Sequence, residues 1–185
     1  MLILVISLFE TENFVTCGSA IKIKHQESKY YLNSEQKNLN SGSGQQIVTF
    51  VKDPGTHDTL WWVRPAHHNV ANQEYPANVT TCNLAEPVKC GSMIRLTHVE
   101  TMRNLHSHGV QSPLSRQQEV TGYGTGDGKG DGGDNWRVEC VENGGGNWVR
   151  NKPVRLFHID TQKYLGTAKN VEFNAQNCGQ NCPIM

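Results

Sequence analysis

Three times along this chain the pattern apolar-x-apolar-x-His is followed, seven residues after the histidine, by leucine. The first copy is Ile21-Lys22-Ile23-Lys24-His25 with Leu32, and the second is Ile94-Arg95-Leu96-Thr97-His98 with Leu105. The third is Val154-Arg155-Leu156-Phe157-His158 with Leu165. A fixed internal repeat constrains the architecture more than any local pattern, because each unit must bury its apolar face against its neighbours. In each copy the alternation predicts a half-buried strand, then a turn, then a second strand carrying the leucine.

The repeat extends beyond these two strands. Cys17-Gly18-Ser19 precedes the first copy and Cys90-Gly91-Ser92 the second, and Ser34 aligns with Ser107. Gln45-Gln46-Ile47-Val48-Thr49 matches Gln117-Gln118-Glu119-Val120-Thr121 at an offset of 72, which predicts a β-branched third strand in each unit. The strand around Trp62 matches the strand around Trp136 at an offset of 74, and Asp53-Pro54-Gly55 is a turn signal before it. Unit three opens at Trp148-Val149-Arg150 and fades after Tyr164-Leu165, where Cys178-Gly179-Gln180-Asn181 stands in the place of the Gln-Gln strand. Three units of four short strands predict an all-β fold, a β-trefoil in which a six-stranded barrel is capped by three hairpins. Barrel closure removes sheet edges, so short strands of modest hydrophobicity suffice. An open β-sandwich is the alternative, and the threefold repetition disfavours it. The expected units are residues 17–82, 83–142 and 143–185, the last one incomplete.

In such a frame Leu32, Leu105 and Leu165, with Ile21, Ile94 and Val154, are expected to layer the core and Trp62 and Trp136 to close it. His25, His98 and His158 could meet on the pseudo-threefold axis as zinc ligands. No acidic partner stands by to orient them, and the favoured reading is a corner histidine that recurs because the corner recurs. First and last strands of a trefoil unit pair antiparallel. Cys90 begins the first strand of unit two and Cys140 ends its last, so a Cys90–Cys140 disulfide is expected. Cys17 has no such partner, since unit one carries Arg64-Pro65 at the matching place, and Cys82 competes for Cys90.

Seventeen basic and seventeen acidic side chains leave no net charge, which argues against a nucleic-acid partner. Residues 1–14 begin with the apolar run Met1–Phe9, too short to span a bilayer stably, followed by the polar break Glu10-Thr11-Glu12-Asn13. A secretory signal is favoured over a buried first strand. Six cysteines agree with an oxidising compartment, and Asn78-Val79-Thr80 is a glycosylation sequon. Gly-x-Ser-x-Gly and His-Glu-x-x-His are absent, so no enzyme, metal or cofactor is expected. The glycine-rich run Gly122–Gly133 lacks the Gly-Lys-Ser/Thr ending of a phosphate loop and is expected to be a long mobile hairpin loop.

The motifs Cys90-Gly91-Ser92-x-Ile94-Arg95-Leu96-x-His98, Leu105-His106-Ser107-His108, Ser112-Pro113-Leu114-Ser115 and Gln118-Glu119-Val120 resemble the MIR-domain family. Within it the likeness is to stromal cell-derived factor 2-like proteins, over roughly residues 15 to 183. The resemblance implies a β-trefoil of three MIR motifs, a signal peptide and residence in the endoplasmic reticulum lumen. It also implies association with a lumenal Hsp40-type co-chaperone and Hsp70, or with unfolded secretory polypeptides. The same module occurs in protein O-mannosyltransferases, so mannose-type glycans are the alternative ligand. The Gln-x-Trp signature of ricin-type lectin trefoils is missing. The sequence closes on Pro183-Ile184-Met185 and not on a Lys/His-Asp-Glu-Leu signal, so the expectation is either retention through a partner or a natural C-terminus beyond this sequence. Unit two alone keeps the full Leu-His-Ser-His and Gln-Gln-Glu-Val patterns. Partner binding is therefore expected there, through His106, Ser107, His108, Gln117, Gln118 and Glu119, unless these side chains tie the hairpin to its own strands.

Overall fold

A computed structural model of the chain describes residues 13–55, 57–67, 80–142, 145–167 and 171–174. The sequon at Asn78, Cys178 and Cys182 lie outside them. So does the apolar run Met1–Phe9.

Unit one supplies β1 (Ala20–Ile21), β2 (Tyr31–Asn38), β3 (Gln46–Val51) and β4 (Trp61–Pro65). Unit two repeats the order as β5 (Met93–His98), β6 (Asn104–Gln111), β7 (Gln118–Tyr123) and β8 (Trp136–Cys140), and unit three adds β9 (Val154–His158) and β10 (Lys163–Tyr164). The pairing is that of a β-trefoil. Strands β1, β4, β5, β8 and β9 run antiparallel side by side as the barrel wall. Hairpins β2–β3 and β6–β7 form the cap and meet through Ile47 opposite Thr121.

Three backbone hydrogen bonds display the pseudo-threefold axis. Val15 N donates to Trp148 O at 2.8 Å, Trp148 N to Val88 O at 2.7 Å, and Val88 N to Val15 O at 2.9 Å, a closed ring with one member from each unit. The histidine corners repeat as closely. His98 Nδ1 accepts from Thr101 N at 3.3 Å and meets Thr101 Oγ1 at 2.9 Å, His158 does the same with Thr161 at 3.1 and 2.8 Å, and His25 with Ser28. The residue after each hydroxyl, Lys29, Met102 and Gln162, has left-handed backbone with φ of 66°, 56° and 56°. The corner reading of these histidines therefore holds, and they do not converge on an axis.

The core contains Leu32, Leu105, Ile94, Leu96, Val63, Val138, Trp61 and Trp136, all but sealed from solvent. Trp61, not Trp62, is the counterpart of Trp136. Trp61 Nε1 donates to Leu32 O at 3.1 Å, and Trp136 Nε1 donates to Leu105 O at 2.8 Å. Each indole also packs on the next unit's corner histidine, His98 at 5.0 Å and His158 at 4.6 Å between ring centroids. Trp62 is only half-buried, so the repeat offset there is 75 and the expected register was one residue out. Ile21, Val154 and Leu165 are likewise only partly buried. They line a cleft of about 830 Å³ between β1 and β9, where the described residues leave the barrel wall unpaired.

Cys90 and Cys140 form the expected disulfide, with Cα atoms 5.6 Å apart. Cys17 departs from expectation: it is joined to Cys82, with Cα atoms 5.8 Å apart. Cys82 reaches it because residues 81–88 return along the barrel end, where Cys17 N donates to Glu86 O at 2.9 Å and Ala85 N to Cys17 O at 2.9 Å. Replacing either pair by serine is expected to cost about 2–5 kcal/mol. Urea unfolding measures the cost, and non-reducing peptide mapping that recovered a Cys82–Cys90 peptide would contradict both bonds.

Candidate functional site

Unit two differs from unit one in what it buries beneath its hairpin. The short 3-10 turn before the core tryptophan ends in Thr59 in unit one and in Asp134 in unit two. Both are fully buried. A buried carboxylate needs donors, and four face it, three from unit two and His67 from unit one. Asp134 Oδ1 lies 2.9 Å from His106 Nδ1. Asp134 Oδ2 accepts from Asn104 Nδ2 at 2.9 Å and Asp131 N at 3.0 Å, and faces His67 Nε2 at 3.1 Å. Burial opposes ionisation of Asp134, but hydrogen bonds from His106 and His67 outweigh it and hold the carboxyl below its usual range. In unit one the residue matching His106 is Asn33, whose Nδ2 donates to Thr49 Oγ1 at 3.3 Å. The glycines around the carboxylate give it room: a Cβ on Gly130 would lie 1.8 Å from Asp134 Oδ2.

The expected site residues divide into two groups. His106, Ser107 and Glu119 are buried. Ser107 Oγ donates to Glu119 O at 2.8 Å, as Ser34 Oγ does to Ile47 O at 2.7 Å in unit one, so the serine is a repeated cross-strand tie. Glu119 Oε2 accepts from Ser43 N at 3.2 Å and meets His108 Nε2 at 3.2 Å, which pins hairpin β6–β7 to the Gly42-Ser43 turn of unit one. His106 stacks between His108 and Tyr123. Gln117 and Gln118 are different. Neither side chain makes a hydrogen bond among the described residues, and both line a groove of about 270 Å³ with Val120, Thr161, Lys163 and Tyr164.

The contrast with unit one gives this groove its meaning. Gln46, at the place of Gln118, donates through Nε2 to Ser34 Oγ and to Thr101 Oγ1, both at 2.7 Å, and so closes unit one against the corner of unit two. Thr161 is the corner residue of unit three that matches Thr101. Gln118 lines the same groove as Thr161, and among the described residues its amide donors and acceptor are uncommitted.

Sequence reasoning missed His67, Asn104, Asp131 and Asp134. A signal was present: Asp131-Gly132-Gly133-Asp134 forms a capping box, with Asp131 accepting from Gly133 N at 2.9 Å. His106, Asp131 and Asp134 also bring metal-ligand atoms within 4.8 Å of one another. His106 Nδ1 and Asp134 Oδ1 already bond to each other, so these atoms read as a polar lock. The Gly122–Gly133 run, expected to be a long mobile hairpin loop, joins β7 to β8, which do not pair with each other, so it is not a hairpin loop. Gly128 is buried, and its carbonyl accepts from Arg95 Nη1 at 2.6 Å and Asn104 Nδ2 at 3.1 Å.

A family model described as the MIR domain matches residues 13–135. The chain belongs to the MIR-domain family. Human stromal cell-derived factor 2 is 41% identical over 151 residues, which cover 82% of this chain and 64% of that protein. The MIR chain thus spans under two thirds of the length of that relative. The crystal structure of the SDF2-like protein from Arabidopsis thaliana matches with a TM-score of 0.75 at 36% identity, over 90% of this chain and 84% of that one. The S. cerevisiae protein O-mannosyltransferase Pmt1-Pmt2 complex bound to the sugar donor matches with a TM-score of 0.70 at 26% identity. That match covers 92% of this chain and 24% of the larger one. Among the described residues of this MIR domain no helix is long and apolar enough to cross a membrane.

The corner histidines of the domain carry a pH prediction. Burial pushes the imidazoles of His98 and His158 below their ordinary value, although the carbonyls of Asp58 and Gly133 pull the other way. The folded state therefore binds fewer protons than the unfolded one, where histidine titrates near about 6.5. Stability from this source is complete above that value and is lost as pH falls through the folded-state values. The melting temperature is expected to hold from pH 8 to 7 and to drop towards pH 5. NMR of the two imidazoles with midpoints at or above about 6.5 would contradict this. Asp134, held low, acts in a separate window below the ordinary carboxylate range.

Proposed function

We propose that this MIR domain is a non-catalytic binding module of the endoplasmic reticulum lumen that works in protein-folding quality control with an Hsp40-type co-chaperone and Hsp70. The observation that carries the reading is the uncommitted Gln118 amide beside Gln117 and Thr161, where unit one spends the same amide on Ser34 and Thr101. Neutral donors and acceptors along an open groove suit polypeptide backbone, which offers one donor and one acceptor per residue. The two disulfides support an oxidising, secretory location. Similarity to stromal cell-derived factor 2 supports the chaperone partnership that the family resemblance implies.

Asp134 supports the non-catalytic half of the proposal. A carboxylate has about four lone-pair sites, and here four donors face them. It holds no free acceptor with which to take a proton from a substrate.

The second reading, a mannose-type glycan ligand, is favoured by the likeness to the O-mannosyltransferase complex. Sugar hydroxyls would find the same amides and the Tyr164 ring. Binding of a reduced, unfolded secretory polypeptide and of a lumenal Hsp40, set beside a glycan array, separates the two. Polypeptide and Hsp40 binding with a blank array is the expected result. Selective binding to one glycan family without polypeptide binding would transfer the groove to the second reading.

A further inference from the structure

Arg64 on β4 and Arg95 on β5 are direct cross-strand partners. Their neighbours Val63 and Leu96, paired one step along, point into the core, so both arginines leave the barrel on its outer side. Like charges placed opposite each other on adjacent strands repel. Arg95 is accommodated: its Nε donates to Pro65 O at 2.7 Å and its Nη1 donates to Gly128 O at 2.6 Å. Arg64 is not. Its Nη1 is shut away from solvent and has no hydrogen-bond partner.

The glycine-rich loop covers this orphan nitrogen. A Cβ on Gly128 would stand 2.1 Å from Arg64 Nη1, so the loop lies directly on the guanidinium, and the φ of +78° favours glycine there. Asp134 acts on Arg95, but its oxygens already face four donors. Asp127 and Lys129 pair with each other at 2.9 Å and cancel. Among the described residues neither guanidinium group bonds to a carboxylate, and the Arg64 Nη1 donor is buried without a partner.

We propose that the Arg64–Arg95 pair beneath the Gly124–Gly130 loop is a binding site for one oxyanion, a carboxylate or phosphate group. The planar guanidinium fork presents parallel N–H donors that match the two oxygens of either group. An oxyanion on the half-exposed side of the pair also offsets the repulsion between the two arginines. The site is built from elements other than those of the groove and does not depend on the function proposed above. The loop first set beside phosphate-cradling loops serves here as a cover that meets Arg64 through Gly128, with side-chain donors from the barrel wall beneath it.

The test uses the full chain labelled with ¹⁵N, titrated with sodium acetate and with sodium phosphate against sodium chloride at matched ionic strength. The Nε–Hε signals of Arg64 and Arg95, assigned from their loss in Arg64→Gln and Arg95→Gln, are followed. A saturating shift with acetate marks a carboxylate site, and one with phosphate marks a phosphate site; both support the proposal. In Arg64→Gln the remaining Arg95 signal is expected to respond at least tenfold more weakly. Should that variant not fold, Arg64→Lys, which keeps the charge and loses the fork, is expected to weaken binding likewise. Linear, chloride-like shifts with both anions, or unchanged saturation in the Arg64 variants, would overturn the site.

Discussion

Replacing Asp134 with alanine is expected to destabilise the fold by about 3–5 kcal/mol, the cost of breaking a buried ionic cluster from one side. His106, His67, Asn104 and the Asp131 amide would each lose an acceptor in space closed to water. A buried donor left unsatisfied costs about 1–3 kcal/mol, and relaxation of His67 and Asp131, both only partly buried, keeps the total below the sum. Unit one indicates how the loss can be repaired. There the same position is Thr59 and the position of His106 is Asn33, a neutral pair that needs no carboxylate. Asp134→Thr combined with His106→Asn should therefore be milder than Asp134→Ala alone. Urea unfolding of the three proteins decides this, and a cost below about 1 kcal/mol for Asp134→Ala would mean that the network is not the lock described.

The second large effect separates two adjacent tryptophans. Trp61→Ala removes a sealed indole that packs on His98 and bonds to Leu32 O, and should cost about 3–5 kcal/mol. Trp62→Ala, on the outer side of the same strand, should cost about 1 kcal/mol or less. Equal costs, or the reverse order, would restore the register read from the sequence.

That register shows where sequence reading reaches its limit. The repeat, the order of strands and the Cys90–Cys140 bond follow from spacing, because a trefoil places the first and last strands of a unit together. Trp61-Trp62 offers two candidates for one core position, and in a strand a slip of one residue exchanges the faces. The choice is made by hydrogen bonds from indole to Leu32 and Leu105, which no local pattern displays. Cys17–Cys82 was hidden for a related reason: the partner comes from a connection between units, beyond the repeat itself.

The polar motif of unit two was legible as a motif but not as a division of roles. His106, Ser107 and Glu119 are spelled like surface residues, yet their partners Asp134 and Ser43 come from a later turn and from another unit. Only the comparison of Gln118 with Gln46 distinguishes a side chain that closes the fold from one that faces a groove.

The central claim is that the buried half of this motif holds the fold while Gln117 and Gln118 meet the partner. The most direct measurement is binding of a reduced, unfolded secretory polypeptide and of a lumenal Hsp40 by Gln117→Ala/Gln118→Ala, beside His106→Ala/Glu119→Ala, each with its melting temperature. The account predicts an unchanged melting temperature and weakened binding for the glutamine pair. For the histidine–glutamate pair it predicts a lowered melting temperature with binding intact per folded molecule. Full binding by the glutamine pair, with binding lost at unchanged melting temperature in the histidine–glutamate pair, would contradict it.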